Sequence, residues 1–206
     1  EQDVGFENFF SRGFDISYLD NRIVFIDFTN SIPGYNLNLA NEDGSERNQI
    51  FPMLDGVTIP AVTWNRDGNR IFFSAEGGTY GEGSIISMLP DSTIEEIWAA
   101  DDAGNLSVSS ISNHLAYESE GNIFLLNLIS GEITYLLSGT FPSWKKDSIE
   151  PSTPRWLLMY YQAEDNDLCE NNVYVREISD IQSVHNSNID IAIFHDHCTR
   201  ASQYIY

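Results

Sequence analysis

The feature that most constrains this chain is a two-strand pattern that recurs along it. In residues 60–75 (PAVTWNRDGNRIFFSA), Val62 and Trp64 alternate with polar residues, an Asp-Gly turn follows, and an apolar run rich in strand formers completes the unit. This order predicts a β-hairpin, because a short glycine-containing turn lets two alternating strands pair. Similar layouts occupy residues 15–26, 106–119 and 141–161.

The four copies are evenly spaced. With Val24, Phe72, Ala116 and Leu158 taken as equivalent positions, the steps are 48, 44 and 42 residues. A unit repeated at such a period cannot bury its apolar face alone, so the copies must pack against one another. Steps of this size are typical of four-stranded propeller blades. The sequence therefore predicts an all-β fold, a β-propeller.

A family resemblance supports this fold. Residues 60–74 resemble the P-x-W-S-P-D-G-x-x-I-A-F signature of the TolB-like β-propellers, whose WD-repeat-like blades also occur in the non-catalytic domains of prolyl oligopeptidase relatives. Residues 35–50 (YNLNLANEDGSERNQI) and 122–137 (NIFLLNLISGEITYLL) resemble the second half of the same unit. The resemblance covers roughly residues 14–178 and implies protein partners without intrinsic catalysis.

The copies depart from the family pattern at two points. Ser110 stands where Trp64 and Trp144 stand in the other copies, and the first and third copies lack the Pro/Arg-Asp-Gly turn. These departures affect where each blade begins and ends more than they affect the fold.

We predict a single domain, residues 1–206, with five blades. Strands from both ends of the chain are expected to complete the last blade, because ring closure removes exposed strand edges. A four-bladed ring with extra terminal strands and a part of a larger propeller are the alternatives. The predicted blades are residues 14–53, 59–99, 105–137, 141–184, and 189–206 together with 1–13.

The charge balance limits the kind of partner. The 206 residues include 10 Lys and Arg against 31 Asp and Glu, for a net charge of −21. Coulomb repulsion makes nucleic acid and anionic lipid surfaces poor partners for such a chain. The acidic residues act either as a solubilising surface or as an attraction for cations or a basic partner. No apolar run approaches the roughly 18 residues that a membrane-spanning helix needs.

Two loops are candidate binding sites. The glycine-rich residues 76–83 (EGGTYGEG) lack the lysine and the following helix of a phosphate-binding loop, so we interpret them as a flexible surface loop with Tyr80 as a contact residue. Glu164, Asp165 and Asp167 have oxygens that can bind Ca²⁺, but their spacing is not that of an EF-hand, and a solvated acidic loop is the plainer interpretation.

The sequence gives little support for catalysis. His195 and His197 would share one side of an extended strand and could present imidazoles to Zn²⁺ or Cu²⁺, yet nothing identifies the remaining ligands, so no cofactor is expected. Five-bladed propellers include glycoside hydrolases, and Asp15 heads an inner strand where such an enzyme would place a carboxylate. The other inner strands carry no matching acid, so we predict that the protein is not an enzyme.

Cys169 and Cys198 suit one disulfide in an oxidising compartment, or two buried thiols. If residues 189–194 form the second strand of a fifth blade, both cysteines lie on the same face of the propeller, whereas an inner first strand would separate them. Many TolB-like propellers are exported, and the chain begins at Glu1 without an initiator Met, as a mature product does after removal of a signal, or as a piece of a longer chain does. We therefore expect an extracellular or periplasmic protein.

The expected function is protein binding by a non-catalytic scaffold. The alternative is a self-assembling structural subunit, in which terminal strands pair with a neighbouring copy, since strand donation and ring closure use the same backbone hydrogen bonds. A glycoside hydrolase or a lectin is the less favoured alternative.

Overall fold

The computed structural model describes residues 13–17, 19–29, 34–52, 54–65, 67–109, 113–146, 156–163, 171–177 and 190–194. These residues form sixteen strands and one short 3₁₀ turn, arranged in four antiparallel four-stranded sheets. The prediction of an all-β fold is confirmed. Nowhere in the described part of the chain is there a helix long and apolar enough to cross a bilayer.

Each sheet takes its strands in chain order. Sheet I consists of β1 (Phe14–Ile16), β2 (Ile23–Thr29), β3 (Gly34–Ala40) and β4 (Asn48–Phe51). Sheet II consists of β5 (Val62–Trp64), β6 (Ile71–Ala75), β7 (Ser84–Met88) and β8 (Ile94–Ala99). Sheet III consists of β9 (Gly104–Val108), β10 (His114–Ser119), β11 (Asn122–Asn127) and β12 (Ile133–Ser138). Sheet IV consists of β13 (Thr140–Lys146), β14 (Trp156–Ala163), β15 (Asn171–Glu177) and β16 (Asp190–Phe194).

The chain divides into two compact units, Glu1–Leu106 and Ser107–Tyr206. In the first unit, one face of sheet I packs against sheet II. Alternation in β2 puts Val24 and Ile26 on this face, and β3 adds Leu37 and Leu39. All five residues of β6 are buried, because a strand in the middle of a blade packs on both of its faces. Each fully buried apolar side chain of this size stabilises the fold by about 1.5–3 kcal/mol.

A hydrogen bond between neighbouring inner strands accompanies this packing. In the first unit, Asp15 Oδ2 accepts from the backbone N–H of Trp64 at 2.7 Å and from the hydroxyl of Thr63 at 2.9 Å. In the second unit, Ser107 Oγ accepts from the backbone N–H of Trp144 at 3.1 Å. We call this contact the inner-strand hydrogen bond, from the Trp-position amide of one sheet to an acceptor in the preceding sheet.

The turns after the inner strands show which positions are equivalent. The N–H of Ser17 donates to the carbonyl of Arg22 at 2.8 Å, and Ser109 and His114 form the same bond at 2.9 Å. Asn65 and Arg70 match them, also at 2.9 Å. Counting back two residues from each donor, Asp15, Thr63 and Ser107 hold one equivalent position. Val24, Phe72 and Ala116 are likewise equivalent, as predicted.

Two details of the predicted repeat are wrong, one by two residues and the other by one residue. Ser110, which the sequence pattern matched to Trp64, lies outside the described residues, and the equivalent place belongs to Val108, directly before the turn donor. In sheet IV, Trp144 pairs with Leu158 as Trp64 pairs with Ile71, so Met159 and not Leu158 matches Phe72. The extended insertion in this copy hid the one-residue shift.

The prediction of a fifth blade beginning at residue 189 is also wrong for the described strand. Residues 190–194 form β16, which pairs antiparallel with β15 through Val173–Phe194 and Arg176–Asp190. The strand therefore completes sheet IV and extends the predicted 141–184 blade. An alternating segment such as DIAIF suits any strand position, and only its pairing partner decides which one it takes.

Candidate functional site

The loop between β6 and β7 is the predicted binding loop that the structure describes. Residues 78–80 form a 3₁₀ turn, closed by the N–H of Tyr80 donating to the carbonyl of Gly77 at 2.9 Å. Gly83 permits a close approach of the chain, because a Cβ atom there would lie 2.6 Å from the carbonyl oxygen of Ala100. Glycine is thus required where this loop meets the connection that follows β8.

The loop is hydrogen-bonded on both sides. Glu76 and Thr58 exchange two backbone hydrogen bonds, at 2.9 and 3.0 Å. At the other end, the N–H of Ala100 donates to Gly83 at 3.2 Å, and that of Asp102 donates to Glu82 at 3.4 Å. The two ends of the loop are therefore tied to the connections that precede β5 and follow β8, and its flexibility stays a prediction.

Tyr80 packs the loop against the core of the first unit. Its ring lies 6.3 Å from the ring of Phe51, tilted by 47°, and it packs beside the buried cluster of sheets I and II. Burial raises the pKa of the Tyr80 phenol. The ring is half-buried, so Tyr80 has a structural role in the loop, and its role as a contact residue stays a prediction.

Carboxylates gather at this end of the first unit. Three segments meet there, the connection before β5, the β6–β7 loop and the turn after β8, and residues 54–58, 76–83 and 100–103 contain no Lys, Arg or His. We call their acidic residues the acidic end. Its members are Asp55, Glu76, Glu82, Asp101 and Asp102.

The electrostatic effect of this grouping appears at Glu76. Burial raises the pKa of its carboxyl, the nearby carboxylate of Asp102 raises it further, and a hydrogen bond with Thr58 opposes the shift. A second negative charge close by disfavours ionisation, so a positive group placed here is favoured. The described residues contain no group of three or more His, Cys, Asp or Glu side chains that could hold a metal ion. The acidic end therefore presents a spread of negative charge.

The three arginines that the structure describes in the first unit, Arg22, Arg47 and Arg70, lie elsewhere and have acidic partners. Arg22 stands directly before β2 and Arg70 directly before β6, at the ends of these strands that lie away from the β6–β7 loop. Arg22 pairs with Asp20, and Arg70 pairs with Glu95 at 2.6 Å. The Arg22 guanidinium also lies 5.4 Å from the centre of the Trp64 ring. Arg47, just before β4, pairs with Asp27 and lies over the Phe25 ring. Positive charge at these sites is balanced locally, whereas the acidic end has no such balance.

Most of the other predicted site residues lie in parts of the chain that the structure does not describe. Glu164, Asp165 and Asp167, His195 and His197, and Cys169 and Cys198 all lie outside the described residues. Asp15, the carboxylate considered for glycoside hydrolysis, is described, and its Oδ2 accepts the two hydrogen bonds from β5. The sequence also gave no sign of the acidic end, because its carboxylates come from three separate segments.

Comparison with known proteins identifies the class of fold. A chain from the crystal structure of the mitotic checkpoint complex matches with a TM-score of 0.59 and 17% identity, over 89% of this chain and 50% of the other. The Dos1 propeller matches at 0.53 and 13%, over 82% and 46%. An oligogalacturonate lyase in complex with manganese matches at 0.54 and 13%, over 77% and 45%.

These likenesses and the four sheets define a β-propeller. The sequence identities are low, 13–17%, so the likeness shows the fold alone. The chain spans about half the length of the structures it matches. No protein-family model matches the sequence, and no curated protein does. The neighbours include enzymes as well as members of protein assemblies.

Proposed function

We propose that this chain is a non-catalytic, extracytoplasmic propeller domain that binds a protein partner through the acidic end of its first unit. One of the similar propellers was solved as part of the mitotic checkpoint complex, which gives a precedent for this fold within a protein assembly. The Cys169 and Cys198 pair and the resemblance to exported propellers support the location. The partner supported best is a protein segment rich in Lys and Arg.

The observation that carries this proposal is the separation of charge within the first unit. The acidic end has five carboxylates and no cation in its three segments, while Arg22, Arg47 and Arg70 are paired elsewhere. Exposed charges of one sign steer an oppositely charged partner and set its orientation. Its carboxylates stand on loops that glycine geometry and backbone hydrogen bonds hold in place, so the charges are presented at fixed positions.

The enzymatic alternatives have less support. A glycoside hydrolase needs two carboxylates across one cleft. Asp15, the candidate from the sequence, is engaged by two donors of β5 at 2.7 and 2.9 Å. A carboxylate bound in this way between two inner strands serves the packing of the sheets.

The test compares two variants with equal changes in charge. Both are measured for binding of fluorescently labelled polylysine by anisotropy, at low and at near-physiological salt. The site variant replaces the exposed carboxylates of the acidic end with amides: Asp55→Asn, Glu82→Gln, Asp101→Asn and Asp102→Asn. The control variant does the same at exposed positions elsewhere in the first unit: Glu42→Gln, Glu46→Gln, Asp67→Asn and Glu96→Gln.

We expect the site variant to bind about tenfold more weakly than the control, since four exposed charge contacts of a few tenths of a kcal/mol each sum to about 1.4 kcal/mol. Binding by the unmodified protein should weaken as salt rises, because exposed charges are screened over about 8–10 Å. An equal loss in both variants would show that affinity follows net charge alone, and would refute the acidic end as a site.

A further inference from the structure

One face of sheet I carries exposed apolar side chains. The side chain of Asp15 lies toward sheet II, so its neighbours Phe14 and Ile16 lie on the other face, following the two-residue period of a strand. Phe14 is 63% exposed and Ile16 is 42% exposed. We call this surface the leading face of sheet I. The residues that hold the equivalent positions in sheet II, Val62 and Trp64, are both buried.

The backbone of β1 also differs from that of the inner strands β5 and β13. The amides of Trp64 and Trp144 each donate to an acceptor in the preceding sheet, Asp15 in one case and Ser107 in the other. The equivalent amide in sheet I is that of Ile16, and it donates to Oδ1 of the adjacent Asp15 at 2.8 Å. In sheet I, the amide that would donate the inner-strand hydrogen bond is therefore bonded to a side chain of its own strand.

Sheet IV has the matching acceptor. Ser143 pairs with Met159 as Thr63 pairs with Phe72, so it holds the place of Asp15, Thr63 and Ser107. Its side chain is exposed. The described residues thus include a donor position at the start of sheet I and a solvent-exposed hydroxyl acceptor at the start of sheet IV.

We propose that the leading face of sheet I docks against sheet IV of a second copy of this chain. The Ile16 amide of one copy exchanges its local hydrogen bond to Asp15 for one to Ser143 of the other copy. Phe14 and Ile16 become buried as Val62 and Trp64 are. A second copy suits the face because the Ile16 amide is bonded within its own strand and not to another sheet, while the acceptor position at Ser143 is exposed. The chain also spans about half the length of the propellers it matches, and two copies supply eight sheets, within the usual range of blades.

Net charge gives this contact a recognisable salt dependence. Two chains of −21 each repel one another, and the repulsion is screened as ionic strength rises. Apolar burial does not weaken with added salt. Association between copies should therefore strengthen with salt, whereas binding of a basic partner at the acidic end should weaken, so the two proposals can fail separately.

The test is the molar mass in solution, measured by size-exclusion chromatography with light scattering at low and high salt. We expect a species of twice the 23.3 kDa chain mass that grows with protein concentration and with salt. Phe14→Asp and Ser143→Arg should each return the protein to the monomer. Ile97→Asp is the matched control, because Ile97 is 53% exposed on the outer strand β8 and should leave the dimer intact.

Mixing the two variants tests the head-to-tail arrangement. A Phe14→Asp copy keeps its sheet IV surface, and a Ser143→Arg copy keeps its leading face, so the mixture restores one intact contact and hence a dimer. Circular dichroism confirms that each variant is folded, and because the variants alter different sheets, a folding defect in one leaves the other informative. A protein that stays monomeric up to about 100 μM, a range where weak specific contacts are populated, overturns the proposal. So does a dimer that survives both substitutions.

Discussion

The pairing of β15 with β16 leads to a specific prediction for the two cysteines. Val173 lies opposite Phe194, Cys169 stands four residues before Val173, and Cys198 stands four residues after Phe194. Both cysteines lie outside the described residues; if the register of the two strands continued for four residues, the cysteines would be directly opposite each other. Directly opposed residues of an antiparallel pair have Cα atoms about 4.5–5.5 Å apart, which is within the range that a disulfide spans. We therefore predict a Cys169–Cys198 bridge.

The size of the effect follows from the loop that the bridge closes. Cys169 and Cys198 are 29 positions apart in the sequence. The chain-entropy relation gives about 3.6 kcal/mol for a loop of this length. For a protein of this size, that amounts to a loss of roughly 7–14 °C in melting temperature when the bridge is removed. The loss should appear in the transition that includes the second unit.

The assay combines alkylation with thermal unfolding. Intact-mass analysis of the denatured, unreduced protein should show no alkylated thiol, and reduction should expose two. Cys169→Ser, Cys198→Ser and the double variant should lose equal stability, because one bond is lost in each case. Reductant should leave the double variant unchanged, which provides the control. Two alkylatable thiols before reduction would refute both the bridge and the continued register.

Three further predictions concern the first unit. Trp64→Ala should cost about 3–5 kcal/mol in thermal melting, more than Trp98→Ala or Tyr80→Ala, because it empties a buried position between sheets; a larger loss for Tyr80→Ala would contradict this packing. Asp15→Ala should cost about 1–3 kcal/mol in urea unfolding by leaving two β5 donors without their acceptor, and Asp15→Asn should cost less because it keeps an oxygen; equal losses would argue against the inner-strand hydrogen bond. The pKa of Glu76 is raised above its usual 4.5, so the folded state keeps a proton that the unfolded state loses, and stability falls as pH rises above that value. Glu76→Gln should therefore raise the melting temperature near neutral pH and lose this gain below about pH 4, whereas a gain independent of pH would contradict the assignment.

The sequence predicted the fold because its main signals are local. Alternation, Asp-Gly and Ser-Gly turns and a period near 44 residues all act within one sheet, and they located the hairpin built on Phe72 and its equivalents. The position of β16 was missed because DIAIF is compatible with several strand positions, and the stretch between it and its partner β15 is longer than a tight turn. The match of Ser110 failed because spacing alone does not show which residue makes the turn hydrogen bond to His114.

Much less of the candidate site could be predicted. Tyr80 was singled out as an aromatic residue in a glycine-rich loop, but its packing on Phe51 depends on a strand of the preceding sheet. Asp55, Glu76 and Asp102 belong to three segments that meet only after sheets I and II have packed. A cluster assembled from separate segments leaves no short motif, so periodicity and spacing cannot reveal it.

The inner-strand hydrogen bond bears on how such a chain can arise. In two places a main-chain amide of one sheet donates to a side-chain acceptor of the preceding sheet, a carboxylate at Asp15 and a hydroxyl at Ser107. Since the donor is main chain, it persists through any substitution except proline. Tandem duplication of one repeat therefore produces two neighbours that already fit, and later mutation can change the acceptor without breaking the contact. The number of repeats can therefore change by gene duplication without new mutations at the contacts between repeats.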